Sequence, residues 1–145
     1  MLVLAIISTL ALIAAPRYAN ALSRYRVDLA AQRVIADLSL AQAQAKATSN
    51  SWTVSFNDAA DTYTFFDGTT FASATQKTAV DLTEPPYHAS IASPDFDGDA
   101  QVIFDGYGVA DSGGTVIVRS GGFRKLITLD GATSKIVVAA KEVEL

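Results

Sequence analysis

Three carboxylates stand at alternate positions in the stretch Pro94-Asp95-Phe96-Asp97-Gly98-Asp99, and Asp105 follows nearby. A hard cation such as calcium needs several carboxylate oxygens converging from one tight loop, and Asp95, Asp97 and Asp99 supply three. They are the metal candidates of this chain. The helix-loop-helix calcium pattern does not fit, because Ala100 follows Asp99 and the twelfth loop position is Gly106. A solvated acidic turn explains the same residues and is the favoured reading.

Other chemistry is sparse. His88 is the single histidine, and a general base needs both a nucleophile and an orienting acid within reach. The chain has no GxSxG elbow, no HExxH pair and no phosphate-binding Walker loop. Ser120-Gly121-Gly122 reads as a hairpin turn before anything catalytic. Cysteine is absent, which removes disulfides, thiolate nucleophiles and cysteine zinc sites. No catalytic residue, cofactor or enzymatic activity is expected. Trp52, Tyr63, Phe65 and Phe66 read as core. Glu84-Pro85-Pro86-Tyr87 reads as a rigid loop, with an extended edge for a partner as the alternative.

The elements that would position these residues begin with an apolar run. Met1 to Ala15 carries no charge and no glycine, with only Ser8 and Thr9 as mild polar breaks. Fifteen residues rise about 22 Å, against a hydrocarbon core of about 30 Å, so a span starting at Met1 is short. A signal peptide is a second reading, with Ala19-Asn20-Ala21 as a cleavage site, although the charged n-region is missing. A buried soluble helix would need cover on its whole circumference. Further apolar residues upstream would remove the length problem.

From Ala21 to about Thr48 the pattern is an amphipathic helix. Val27, Ala31, Val34, Leu38, Ala41 and Ala45 recur at steps of three and four and make one stripe, widened by Ile35. These six are the expected contact with a sheet. Arg24, Asp28, Arg33, Asp37 and Gln44 fall on the remaining surface. Thr48-Ser49-Asn50-Ser51 should end the helix. Pro16, inside the long helix, predicts a kink or local melting.

After residue 51 the period changes to two. Trp52, Val54 and Phe56 alternate with Thr53 and Ser55, a turn covers residues 57–61, and Tyr63, Phe65 and Phe66 return as a hairpin. Residues 67–76 read as a loop, 79–82 as a short strand and 93–99 as a turn. Strands follow at 102–104, 115–119, 124–129 and 135–139, separated by glycine and aspartate turns. The expected fold is α+β: one long N-terminal helix, apolar then amphipathic, laid on an antiparallel meander in a single roll. Residues 1–20 form the apolar helix. Residues 21–145 form the head, from helix 21–48 and strands within 51–139.

Charge separates the two parts. Residues 1–50 carry +3 and the remainder −7, within a net charge of −4. An acidic head repels phosphate backbones, so nucleic acid is not an expected partner. The basic stretch past the apolar run either meets anionic headgroups or is a solvated helix face, the favoured reading.

These pieces resemble a known family. LVLAIISTLALIAAPRY, residues 2–18, is similar to the N-terminal segment of type IV pilins and type II secretion pseudopilins, with Leu4-Ala5-Ile6-Ile7 in the apolar run and Pro16 at the family's proline. ADLSLAQAQAKATSNSWTVSF, residues 36–56, resembles the alanine-rich helix end and first strand of the GspH/FimT minor pseudopilins. Phe104-Asp105-Gly106-Tyr107-Gly108, then Thr115 to Val118, Ile127 to Leu129 and Gly131 to Val137, resemble that branch's late turns and strands.

The resemblance implies a pilin-like roll and a non-enzymatic structural subunit of a type II secretion pseudopilus or type IV pilus. It implies a single pass of the bacterial inner membrane with the head in the periplasm. Leu2, Val3, Leu4, Ile6, Ile7, Leu10, Leu12 and Ile13 would then pack in the membrane or filament, with Pro16 at the kink. Partners would be other pseudopilins or pilins, inner-membrane lipid before assembly, and a secreted substrate protein. The basic leader, the methylated first residue and the glutamate of that family are not in this sequence: by the resemblance Met1 falls about seven positions into the mature family sequence, so either these features lie upstream of Met1 or this is an unusual subunit that lacks them. The competing function is an exported soluble or tethered binding module, with residues 1–21 as signal peptide or anchor.

Overall fold

The computed structural model describes residues 2–139 of the 145-residue chain. Helix α1, Leu2–Thr48, runs 47 residues, about 70 Å at 1.5 Å per residue. Pro16 lies inside it and the helix continues through that position without the expected melting. A proline costs one backbone donor and leaves the carbonyl one turn back unbonded, which a long helix tolerates when the flanking turns hold. Ser49 ends the helix in the left-handed region, at φ 54°. The Thr48 hydroxyl donates back to Gln44 O at 2.8 Å and accepts from Trp52 Nε1 at 3.3 Å.

Among the described residues eight strands follow: β1 Trp52–Asn57, β2 Thr62–Asp67, β3 Lys77–Asp81, β4 Ser90–Asp95, β5 Gln101–Phe104, β6 Gly114–Ser120, β7 Phe123–Leu129 and β8 Ile136–Ala139. A 3-10 turn, Phe71–Ser73, sits in the loop between β2 and β3. The strands form two four-stranded sheets, ordered β3-β2-β1-β5 and β4-β6-β7-β8. Every described pairing within them is antiparallel.

A single meander is therefore corrected to two sheets. The cause is nonlocal pairing: β5 returns to β1, with Trp52 opposite Phe104 and Val54 opposite Val102. Strand β4 occupies part of the segment read as a turn, so the true turn shrinks to Phe96–Asp99. Pro94 lies where the β4–β6 register shifts between Ala92 and Asp95, on the outer strand of its sheet. A proline without an N–H is tolerated there. The Glu84–Tyr87 segment is a turn, with Tyr87 N–H donating to Glu84 O at 3.0 Å, and not an extended edge.

The core lies between α1 and the inner faces of both sheets. Trp52, Val54 and Phe56 of β1, Val102 and Phe104 of β5, Val116 and Val118 of β6, and Ile127 and Leu129 of β7 meet there. Tyr63 and Phe65 join them. Phe66 is buried outside that cluster, beneath Phe71, whose ring lies 5.4 Å away at 84°.

Candidate assembly helix and its anchorage

The exposed end of α1 is the most unusual surface of the molecule. Leu2 is 78% exposed, Leu10 62% and Leu12 77%, and Val3, Leu4, Ile6 and Ile7 are each more than half exposed. The Ile13 side chain lies outside the described residues. Nothing in residues 2–12 or 15–21 is buried against the head. The two polar residues are satisfied within the helix: Ser8 donates to Leu4 O at 2.7 Å, and Thr9 to Ile6 O at 2.9 Å. A helix with all its polar groups paired and its apolar surface uncovered suits lipid or a bundle of similar helices. It is also long and apolar enough to cross a membrane.

The second half of the helix is held by the head. Val27, Ala31, Val34, Leu38, Ala41 and Ala45 are all buried, none above 2% exposed. Ala30, which the stripe did not include, is buried as well. The alanines let the backbone of α1 approach the sheets closely, since no long side chain holds them apart.

Asp37 is the main departure from the sequence reading. It is 6% exposed and not on the surface. Its Oδ2 accepts from the Tyr63 hydroxyl at 2.5 Å and from Arg33 Nε at 2.8 Å. Tyr63 comes from β2, so this carboxylate ties helix to sheet. Burial first, then the bond to Asp37, pushes the Tyr63 hydroxyl far above the ordinary tyrosine range. The hydrogen bond from Arg33 to Asp37 raises the guanidinium further above its already high value. The only sequence trace of this group is the i, i+4 spacing of Arg33 and Asp37.

The upper end of α1 is lashed to two late loops. Gln42 Nε2 donates to Gly108 O at 2.8 Å and Ser134 O at 3.3 Å. Ser134 in turn accepts the Ala110 N–H at 2.8 Å. A Cβ on Gly106 would come 2.8 Å from the Ser49 backbone, so glycine is required for that loop to lie on the helix end. Gln42 is a long polar residue on a helix, and nothing in the sequence separates it from Gln32 or Gln44.

The three acidic candidates do not gather. Asp97 and Gly98, at φ 59° and 94°, are the central residues of a two-residue hairpin turn closed by Phe96 N–H to Asp99 O at 2.8 Å. Asp95 spends one oxygen on the Gly98 N–H at 2.9 Å. Asp105 belongs to a different loop, where it accepts from Tyr107 and Val109 N–H, each at 2.9 Å. Among the described residues no group of three or more acidic or histidine side chains is placed to hold an ion. His88 is exposed, at φ 43°, and its carbonyl accepts from Ser120 Oγ at 3.0 Å.

A long helix with its first half bare and its second half bolted to a two-sheet head defines what the chain can be compared with. Residues 30–134 match the family model for the type II transport protein GspH. The chain belongs to the GspH family. Among solved structures, the minor pseudopilin EpsH of the type 2 secretion system of Vibrio cholerae is similar at 15% identity and TM-score 0.60, covering 79% of this chain and 97% of that one. The type IV minor pilin FimU of Pseudomonas aeruginosa is similar at 13% identity and TM-score 0.59, covering 83% and 95%. A second crystal form of FimU gives 14% identity and TM-score 0.58, covering 81% and 98%. No curated protein matches the chain by sequence. The fold is thus the pilin-like α+β fold, and membership in the GspH family makes the chain a structural subunit of a pseudopilus or pilus.

Proposed function

We propose that this chain is a non-enzymatic minor pseudopilin that enters a fibre through residues 2–16 of α1. Before assembly that segment lies in the inner membrane as a single pass, with the head on the periplasmic side. In the fibre it exchanges lipid for the equivalent helices of other pseudopilins or pilins. The observation that carries this reading is the uncovered apolar half of a helix whose other half is buried in the head.

The physics of the exchange is straightforward. Seven large apolar side chains between Leu2 and Leu12 are more than half exposed, and each is worth about 1.5–3 kcal/mol when removed from water. Lipid and a helix bundle both offer that removal, so transfer between them is close to neutral and is decided by packing. A secreted protein substrate would meet the head, whose strands and loops remain exposed in that arrangement.

The test is the mature protein in fractionated cells. Intact mass should place residues 2–21 on the protein in the membrane fraction, and cysteine cross-links from Leu4 should reach other pilin-like subunits. A mature N-terminus at Leu22, after cleavage following Ala21, would replace this reading with that of an exported soluble domain. The continuity of α1 through residue 21 argues against that site.

A further inference from the structure

The head is charged unevenly along its length. At the Gly114 end of β6 lies an open cleft of about 550 Å³ lined by Asp95, Asp97 and Asp111. At the Ser120 end, Arg119 stands opposite Arg124 of β7 and Ser90 of β4. Seven residues at about 3.3 Å each set these two poles about 20 Å apart.

The basic pole is the one that meets α1 where the apolar segment leaves the head. The β6–β7 turn abuts the helix there: a Cβ on Gly121 would come 2.5 Å from Ser23 Oγ. The Arg24 guanidinium lies 4.9 Å from the centre of the Phe123 ring, and Lys125 pairs with Asp28. A hollow between helix and hairpin is lined by Arg17, Asn20, Arg24 and Phe123. Arg17 and Arg24 of the helix and Arg119, Arg124 and Lys125 of the hairpin therefore share one pole. They are five of the eleven lysines and arginines in an acidic chain. The acids there are few. Asp28 is held by Lys125, Asp61 accepts from the Ile91 N–H at 2.9 Å, Asp81 is turned onto Thr83, and Glu84 is in the adjoining turn. Arg119 Nε is buried with no hydrogen-bond partner among the described residues.

We propose that this pole docks the head onto an anionic phospholipid surface, with lipid phosphates meeting Arg17 and Arg24 at the helix–hairpin hollow and Arg119 and Arg124 on the outer face of the β6–β7 hairpin. The inference rests on the reading that residues 2–16 lie in the bilayer. Continuity selects lipid as the occupant. Ser23 stands about 10 Å along the axis beyond Pro16, a distance within reach of the headgroup layer and comparable to a Debye length of about 8 Å. A modest helix tilt lowers the hairpin onto the phosphates. Cations on the outward side of a membrane segment oppose the usual orientation bias, so topology alone does not account for them. The docked head is held at a fixed azimuth around α1 until assembly lifts it.

The test uses the full chain in phosphatidylcholine vesicles and in equimolar phosphatidylcholine–phosphatidylglycerol vesicles, with hydrogen exchange read over residues 117–126. Exchange there should slow in the anionic vesicles, since each cation near such a surface contributes about fivefold in affinity. High salt should abolish the effect. Arg119→Gln/Arg124→Gln should abolish it too, while keeping the melting transition of the parent head. Equal exchange in the two vesicles overturns the proposal. So does protection reproduced by inorganic phosphate or by polyglutamate without anionic lipid, or protection that survives in the double variant. Retention of the chain in the neutral vesicles reports helix anchoring separately, so failure of the anchor is distinguishable from failure of the docking.

Discussion

Replacing Tyr63 by phenylalanine isolates the bond that joins helix to sheet. The ring is 1% exposed, and only its hydroxyl, 2.5 Å from Asp37 Oδ2, is removed. A hydrogen bond to a charged group contributes about 1.5–3 kcal/mol, and the carboxylate left behind is buried, so Tyr63→Phe should cost about 2–3 kcal/mol. The other arm of the group is weaker. The Arg33 side chain is 41% exposed, where solvent screens the pair, so Arg33→Met should cost less than about 1 kcal/mol. Asp37→Ala removes both bonds and strands the tyrosine hydroxyl, for about 2–4 kcal/mol. In the double variant the two losses should not add, with a coupling of about 1–2 kcal/mol. The assay is urea unfolding of the full chain in detergent, followed by the fluorescence of Trp52, the single and buried tryptophan. A Tyr63→Phe variant within about 0.5 kcal/mol of the parent refutes the reasoning. So does an Arg33→Met variant that costs as much as Tyr63→Phe.

The same group predicts an alkaline limit. The unfolded chain releases the Tyr63 proton near pH 10, whereas the folded chain holds it to higher pH. Its stabilisation is complete below about pH 10 and falls as pH rises beyond that, and Tyr63→Phe should flatten thermal melts between pH 9 and pH 11 relative to the parent. Ala41→Leu, at a fully buried contact between α1 and the head, should cost about 1–3 kcal/mol in the same urea assay, through overpacking. Gly106→Ala should destabilise by a similar amount, about 1–3 kcal/mol, because its Cβ meets the Ser49 backbone and not a yielding side chain. Leu10→Arg places a charge on the bare helix, 62% exposed in the isolated chain, and should shift membrane partitioning by about 2.5–3.5 kcal/mol with no change in the unfolding of the head.

What the sequence made legible follows from the range of each interaction. The stripe from Val27 to Ala45 is local and periodic, so it reads directly, and all six positions are buried. The β1–β2 and β6–β7 hairpins are also local and marked by turn residues. The division into two sheets is not legible, because the pairing of Trp52 with Phe104 leaves no mark in either strand. Strand β4 is hidden by Pro94, which reads as a breaker until the strand is seen to lie at a sheet edge beside an irregularity. At Pro16 the helix does not melt, since the surrounding turns hold it through that position. Asp37 is missed because a charged residue in an amphipathic pattern defaults to the surface. Its burial depends on a tyrosine hydroxyl 26 residues away in sequence. The acidic triplet reads first as a solvated turn and only second as three ligands; a two-residue hairpin turn lies there, and Asp95 spends one oxygen on the Gly98 N–H.

The central claim is that residues 2–16 form the assembly surface. The chain contains no cysteine, so single cysteines at Leu4, Leu10 and, as a control, Tyr107 on the exposed loop before β6 can be introduced without background. Oxidative cross-linking in cells that assemble the fibre should join Leu4→Cys and Leu10→Cys to cysteines in the matching helix segment of other pilin-like subunits. Cross-links formed only by Tyr107→Cys, with the helix positions unreactive or cleaved from the mature protein, would contradict it.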